Sequence, residues 1–451
     1  MSAQESWMKT VLLPIVLALV VVGVMTIFGL LSRARASEAE KKVSTHEATS
    51  NDVVMGRQKH IAVQVMGVQW INPVMRRSYP TQWNLLWTLG AAKTDVDDYD
   101  AKHDPDYKPR QGMLPAISVI ADNELKDLSL IDYIEAYTVR MLISYRTPYF
   151  TNKLGFYSIK KDGTGRTWFD LPVWFATSSK VALSDVKTIV AKKLYGIANG
   201  MEKDFNPENK HPVVNVEQGI GAGFRSLSAA MDYLEKNPEK TAWVMTADAP
   251  DILREKQSTE NGAILILANA NKPNERLPLA LIHRVDNQPT TQFQSKPGDP
   301  ALNQAWKAAL AGAAEHGNKT LADVGMTFVD TGRGTDKTQR LTAVSRALTE
   351  TQPDFDFKTR LFDTTARIGD GQTAMSVVNL AMGIAYSHER NTSVLVTDTA
   401  DPAAAHAVLI TPPPGHVAPD PNRRFDRATG EGRAYWPWWG ARRDGQVNAY
   451  E

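Results

Sequence analysis

The chain contains no cysteine. That excludes disulfides, thiolate metal sites and a catalytic cysteine, and leaves the compartment open. Charge of one sign is also missing in excess: 51 Lys+Arg stand against 50 Asp+Glu, a formal net charge of +1 at pH 7. This balance argues against binding nucleic acid through an overall field. The nine histidines (His46, His60, His103, His211, His283, His316, His388, His406 and His416) form no H-x-x-x-H pair. The acidic run Asp95 to Asp100 lacks the glycine and terminal glutamate of a calcium loop. No G-x-S-x-G string marks a serine-hydrolase elbow, and Ser226 falls inside a predicted helix, its hydroxyl turned to the preceding turn or to solvent. No catalytic residue, metal or cofactor is expected.

What is present begins with residues 11–31, VLLPIVLALVVVGVMTIFGLL, a run without a charge. As a helix it spans about 31 Å, enough to cross a bilayer core. Ala34-Arg35-Ala36 has the form of a signal-peptide cleavage triplet, but arginines sit immediately before the cut and the apolar run is too long. An uncleaved single-pass membrane anchor is expected, with residues 1–10 as a short tail ahead of it. Lys9 precedes the run, whereas Arg33, Arg35, Lys41 and Lys42 follow it. The positive-inside rule favours a cytoplasmic C-terminal body, the periplasm being the alternative.

Residues 32–60 are polar and read as a linker. At Ile61 an apolar run, IAVQVMGVQW, predicts a buried strand, and residues 81–90 predict a helix closed by Gly90. A surface loop is expected over 92–112, and SDVKTIVAKKLYGIANGM predicts a further helix. The chain then repeats itself. VVNVEQGIGAGFRSLSAAMDYLEKNPEKTAWVMTADAP, followed by ENGAILILANA, is echoed by TTARIGDGQTAMSVVNLAMGIAYSHERNTSVLVTDTAD, followed by AHAVLITPP. Each copy reads as glycine-rich turn, amphipathic helix, polar loop, strand, loop, strand. Helix Ser226–Leu234 corresponds to Met375–Tyr386, and strand Trp243–Thr246 to Val394–Thr397. This alternation predicts a duplicated, layered α/β fold, with halves at 61–300 and 301–412.

These segments resemble the thiolase fold of β-ketoacyl synthases. GIGAGFRSLSAAMDYL is similar to the segment that carries that family's nucleophilic cysteine, and ENGAILILANA to its Gly-Ala-Gly-Ala-Leu-Val-Leu strand. VGMTFVDTGRGTDKTQ and ARIGDGQTAMSVVNLAMG stand where its two histidine motifs would be. The resemblance places the nucleophile near Gly219–Gly221, the first histidine at Thr331 or Gly332, and the second at Asp370. Condensation needs a thiolate to hold the acyl group and histidines to stabilise a developing oxyanion. A scaffold without that chemistry is therefore implied.

An anchored, cysteine-free, thiolase-like chain also resembles the type VI lipase adapter family. That resemblance implies a non-catalytic adapter that binds a phospholipase effector and loads it onto a type VI secretion spike. A residual acyl-binding or acyltransferase protein is the alternative, a structural envelope component is another, and pairing of two chains is possible.

Three sequence features invite other readings. Gly219, Gly221 and Gly223 form G-I-G-A-G, one position short of a dinucleotide fingerprint, with Asp248 at the end of the next strand. A ligand-free turn accounts for them. Gly332-Arg333-Gly334-Thr335 is a possible anion nest, or an ordinary solvated turn. The tail 413–451 is rich in Pro, Trp and Arg and reads as irregular. Within it, Tyr435, Trp436, Trp438, Trp439, Arg442 and Arg443 are the candidate partner-binding residues, offering wide apolar area and fork-shaped donors. Packing on the chain's own domain and lying on a bilayer are the other readings of this tail. On the partner reading, deleting 415–451 is expected to weaken capture without unfolding 61–412.

Overall fold

The computed structural model describes residues 61–72, 81–91, 129–151, 171–199, 202–208, 212–249, 260–274, 276–332, 336–422 and 438–443, all within the unit His60–Glu451. The expected membrane helix at 11–31, the linker and the 92–112 loop lie outside these residues. Among the described residues no helix is long and apolar enough to cross a membrane.

In chain order the first half holds β1 (Val63–Ile71), α1 (Thr81–Thr88), α2 (Leu130–Thr151), β2 (Pro172–Thr177), α3 (Leu183–Asn199), β3 (Val213–Gln218), α4 (Ala222–Lys236), β4 (Thr241–Asp248) and β5 (Asn261–Asn269). The second holds β6 (Ala280–Ile282), β7 (Asp286–Pro289), α5 (Ala301–His316), β8 (Val324–Val329), α6 (Asp336–Thr351), β9 (Leu361–Asp363), α7 (Met375–Arg390), β10 (Ser393–Asp398) and β11 (Ala404–Thr411). A final strand, β12, is Trp438–Trp439. The predicted strand at Ile61, the helices at 81–90 and 184–201 and the repeated helix–strand–strand units are all present.

Strand order is β3-β2-β4-β5-β1-β6-β11-β10-β8-β9, with β12 added to β1 and β7 to β11. Read from the β1–β6 seam outward, the two sides match. β5 and β11 pair antiparallel with β4 and β10, which run parallel to β2 and β8, which run parallel to β3 and β9. Side chains repeat as well: Thr246 Oγ1 donates to the Ala176 carbonyl at 2.8 Å, and Thr397 Oγ1 to the Phe328 carbonyl at 3.0 Å. Because β6 and β7 pair with β11, the strand pattern divides between β5 and β6, ahead of the break at residue 300 read from the sequence. β7, at Asp286–Pro289, lies ahead of that break and already belongs with β11.

Alternation builds the layers. On β5, Ala263, Leu265 and Leu267 enter a central core, while Ile264, Ile266 and Ala268 enter an outer one with α2 and α3. On β11, Val408 and Ile410 enter the same central core, and Ala405, Ala407 and Leu409 an outer one with α5 and α6. A strand apolar on both faces needs cover on both. The result is five layers, with α4 and α7 in the middle. α7 is buried nearly all round, from Met375 to Ala385, as a helix enclosed on every side must be. α4 and α7 meet where Gly223 faces Ser376, and a β-carbon at Gly223 would overlap the serine hydroxyl.

Candidate functional site

The turn that would carry a nucleophile is backbone alone. Gly219 (φ 73°) and Gly221 (φ 71°) occupy the left-handed region, which glycine enters without a Cβ clash. The Gly219 amide donates to the Thr177 carbonyl at 2.9 Å. Arg225, one turn into α4, donates to the Ile220 and Gln218 carbonyls at 2.6 Å each and to Glu217 at 3.0 Å. The guanidinium thus closes the turn on itself, leaving Ile220 54% exposed at its tip.

The second half faces this turn with His406 on β11, a residue that no sequence motif marks. A β-carbon at Gly221 would lie 3.7 Å from His406 Nε2. The same nitrogen is 3.2 Å from Asp401 Oδ2, and the ring stands 6.2 Å from that of Phe224. Asp398 is paired across the ladder with His406, and Asp330 directly follows the neighbouring β8. Both carboxyls are buried. Asp330 accepts the Thr399 amide at 2.8 Å, and Asp398 the Ala400 amide at 3.0 Å. Burial holds both above the usual carboxylate range, with the Asp398 charge pushing Asp330 further up. The signal for this cluster lay in the repeat itself: TDTAD and AHAV sit on paired strands, which brings Asp398 opposite His406.

At the expected first histidine position, Thr331 is buried and its hydroxyl donates to Asp363 Oδ2 at 2.6 Å. Lys337 Nζ lies 3.4 Å from the same oxygen. Gly332 (φ 69°) is passed closely by Arg340, whose Nη1 would be 2.6 Å from a β-carbon there. Leu361, Phe362, Asp363, Ala366 and Arg367 line an open cavity of about 360 Å³ beside them. Of the suggested nest, Arg333 to Thr335 lie outside the described residues.

At the expected second histidine position, Asp370 is half-buried and its carboxylate accepts the Gln372 amide at 2.9 Å. The loop it occupies rests on the first half, where Asp248 ends β4. That carboxyl is 2% exposed, and burial pushes it up to about 7, against the pull of the Ala249 amide, Thr373 and Lys180. Ser226 is fully buried with no hydrogen-bond partner, rather than turned to a preceding carbonyl or to water. No group of three or more His, Asp or Glu arranged to hold a metal occurs among the described residues.

The tail departs from the expected irregular form. Trp438 and Trp439 pair antiparallel with Val68 and Gly67, extending β1's second edge beyond the short β6. Trp438 enters the central core, its ring 4.9 Å from that of His388, and Trp439 packs against the outer core of the first half. Gly67 is what admits it, since a β-carbon there would overlap the indole. Arg442 is 8% exposed and bridges to Arg276, which donates to the Gly440 carbonyl at 2.9 Å. Arg443 donates to the Asn274 carbonyl at 3.1 Å. These four residues are thus built into the fold, so deleting 415–451 removes part of the sheet and the core. Tyr435 and Trp436 lie outside the described residues.

Residues 281–412 match the family model "Type VI lipase adapter protein Tla3, C-terminal". The chain matches none of the curated proteins it was compared with. Among solved structures it is similar to the oxazolomycin ketosynthase domain OzmH KS8 of Streptomyces albus JA3453, at 10% identity over 82% of this chain and 100% of that one, TM-score 0.46. The module 1 bacillaene synthase ketosynthase of Bacillus amyloliquefaciens FZB42 gives 10% identity over 80% and 74%, TM-score 0.47. An OleA variant of Xanthomonas campestris gives 9% over 78% and 99%, TM-score 0.44. The adapter resemblance thus holds over residues 281–412, which run from within β6 to just past β11.

Proposed function

We propose that this chain is a non-catalytic adapter that binds a phospholipase effector and delivers it to the spike of a type VI secretion system. The observation that carries this reading is the match of residues 281–412 to the C-terminal region of such an adapter. The turn before α4 supports the non-catalytic part. Its glycines offer no nucleophile, the chain has no cysteine anywhere, and Arg225 occupies the turn's own carbonyls. Thr331 and Asp370 are engaged in local hydrogen bonds where a ketosynthase-like chain would place histidines. In this reading residues 11–31 anchor the chain in the inner membrane with its body on the cytoplasmic side, and two chains can pair.

The test is affinity purification of the tagged, detergent-solubilised full chain from its host, with mass spectrometry of the eluate. A lipase together with spike components is the expected result. Acyl carrier protein or fatty-acid enzymes in their place would overturn the adapter reading and favour an acyl-binding protein. Recovery of the chain alone from secretion-active cells would also count against it.

A further inference from the structure

The loop Gly369–Ala374 belongs to the second half but is held by the first. Its backbone passes through the left-handed region twice, at Gly369 (φ 92°) and at Gln372 (φ 46°). A glutamine in that region is strained, so its surroundings must hold it there. The turn Gln372–Ala374 touches β2, β4, β5 and α4, all from the first half. A β-carbon at Gly371 would lie 2.8 Å from Asn261 Nδ2 on β5.

Asp248 sits at this contact. One of its oxygens accepts the Ala249 amide at 2.9 Å; the other is fully buried, and Thr373 approaches the carboxyl without completing a well-formed hydrogen bond to that oxygen. From the loop it is faced by Thr373, and from the turn after β2 by Lys180. Its partner on β5, Asn261, is uncharged, and the buried face of α4 carries no ionisable side chain. The loop's own carboxylate, Asp370, is turned back onto the Gln372 amide. Lys180, whose charge pulls on Asp248, is exposed to solvent.

We propose that Gly369–Ala374 is a proton-operated latch between the two halves, closed on β4 while Asp248 is protonated and released when Asp248 ionises. A carboxylate with an oxygen left unsatisfied in a dry site is unfavourable. Lifting the loop lets water reach that oxygen and relaxes Gln372, so both terms favour opening once the proton is gone. The closed state binds the proton more tightly than an open, hydrated one. It is therefore favoured at low pH and lost as pH rises through the neutral range, where burial has placed this carboxyl. Release uncovers the N-terminal turn of α4 and the start of α7. This inference stands apart from the adapter reading, and its test needs no partner.

Hydrogen exchange of the full chain in detergent, followed by mass spectrometry, reads the latch directly. After correction for intrinsic rates, protection of residues 369–376 is expected to fall roughly tenfold or more between about pH 6 and about pH 8.5, while β10 and β11 stay protected. Asp248→Asn should abolish that fall. Thr373→Val, which removes a donor that favours the charged form, should move the midpoint to higher pH. Equal protection at both pH values in the parent, or a fall that persists in Asp248→Asn, would overturn the proposal. If Asp248→Asn does not fold, an unmoved midpoint in Thr373→Val overturns it instead.

Discussion

Two turns stand in equivalent places of the duplicated fold, one before α4 and one before α7, and they are secured in different ways. The first is fixed by glycine at both left-handed positions and by Arg225, which spans its carbonyls. The second has a glutamine at one left-handed position and beside it a buried carboxyl with one oxygen unsatisfied. Each leans across the seam: Gly221 beside His406, Gly371 beside Asn261. The central helices pack alike in the two halves, while the side chains at the turns differ. Packing tolerates only close substitutes, whereas a turn needs only some group to satisfy its carbonyls and amides.

The largest test removes the β12 strand, which among the described residues is added to β1 of the first half. Deleting 438–451 should cost about 4 kcal/mol or more, because a buried tryptophan leaves the central core. Denaturant midpoints measure it, and an unchanged midpoint would show that the strand is dispensable. Gly67→Val should cost about 2–3 kcal/mol by displacing the Trp439 ring, with indole fluorescence moving toward that of a hydrated ring.

The remaining tests set the two turns against each other, and their signs differ. Asp248 is raised in the folded state, so its contribution to stability is fully present below its ordinary pKa of 3.8 and is lost as pH rises through about 7. Asp248→Asn should therefore stabilise the chain at pH 8 by about 2 kcal/mol, with the gain shrinking toward pH 4. A parallel shift of Tm at all pH values would show that desolvation is not the cause. Arg225→Ala should destabilise by about 1 kcal/mol or less, since the guanidinium is half exposed and its acceptors can turn to water. Loss of more than that would mean that the first turn depends on the clamp rather than on its glycines.

Much of this architecture was legible in the residues. The echo of GIGAGFRSLSAAMDYL in IGDGQTAMSVVNLAMG located both central helices, and the β-branched and apolar runs after them located both strand pairs. Those signals are local, since hydrophobic period and glycine placement act over a few residues. The tail was not legible. Trp438 and Trp439 have no strand period around them, and their partner is Gly67, hundreds of positions away in the chain. His406 stood in the sequence as a histidine in an apolar strand that the repeat pairs with the strand of Asp398, whereas its neighbours Asp401 and Gly221 reach it only through turn and seam contact.

By itself, the sequence determined the duplication, the order of helices and strands, and the absence of any thiolate chemistry, because composition and short-range periodicity dictate these directly. Tertiary structure alone decided that two tryptophans of the tail complete β1, that the division between halves falls before β6, and that Asp248 is enclosed by a loop from the other half. Each of those depends on which distant surfaces exclude water together, and burial is a property of the packed chain rather than of any segment of it.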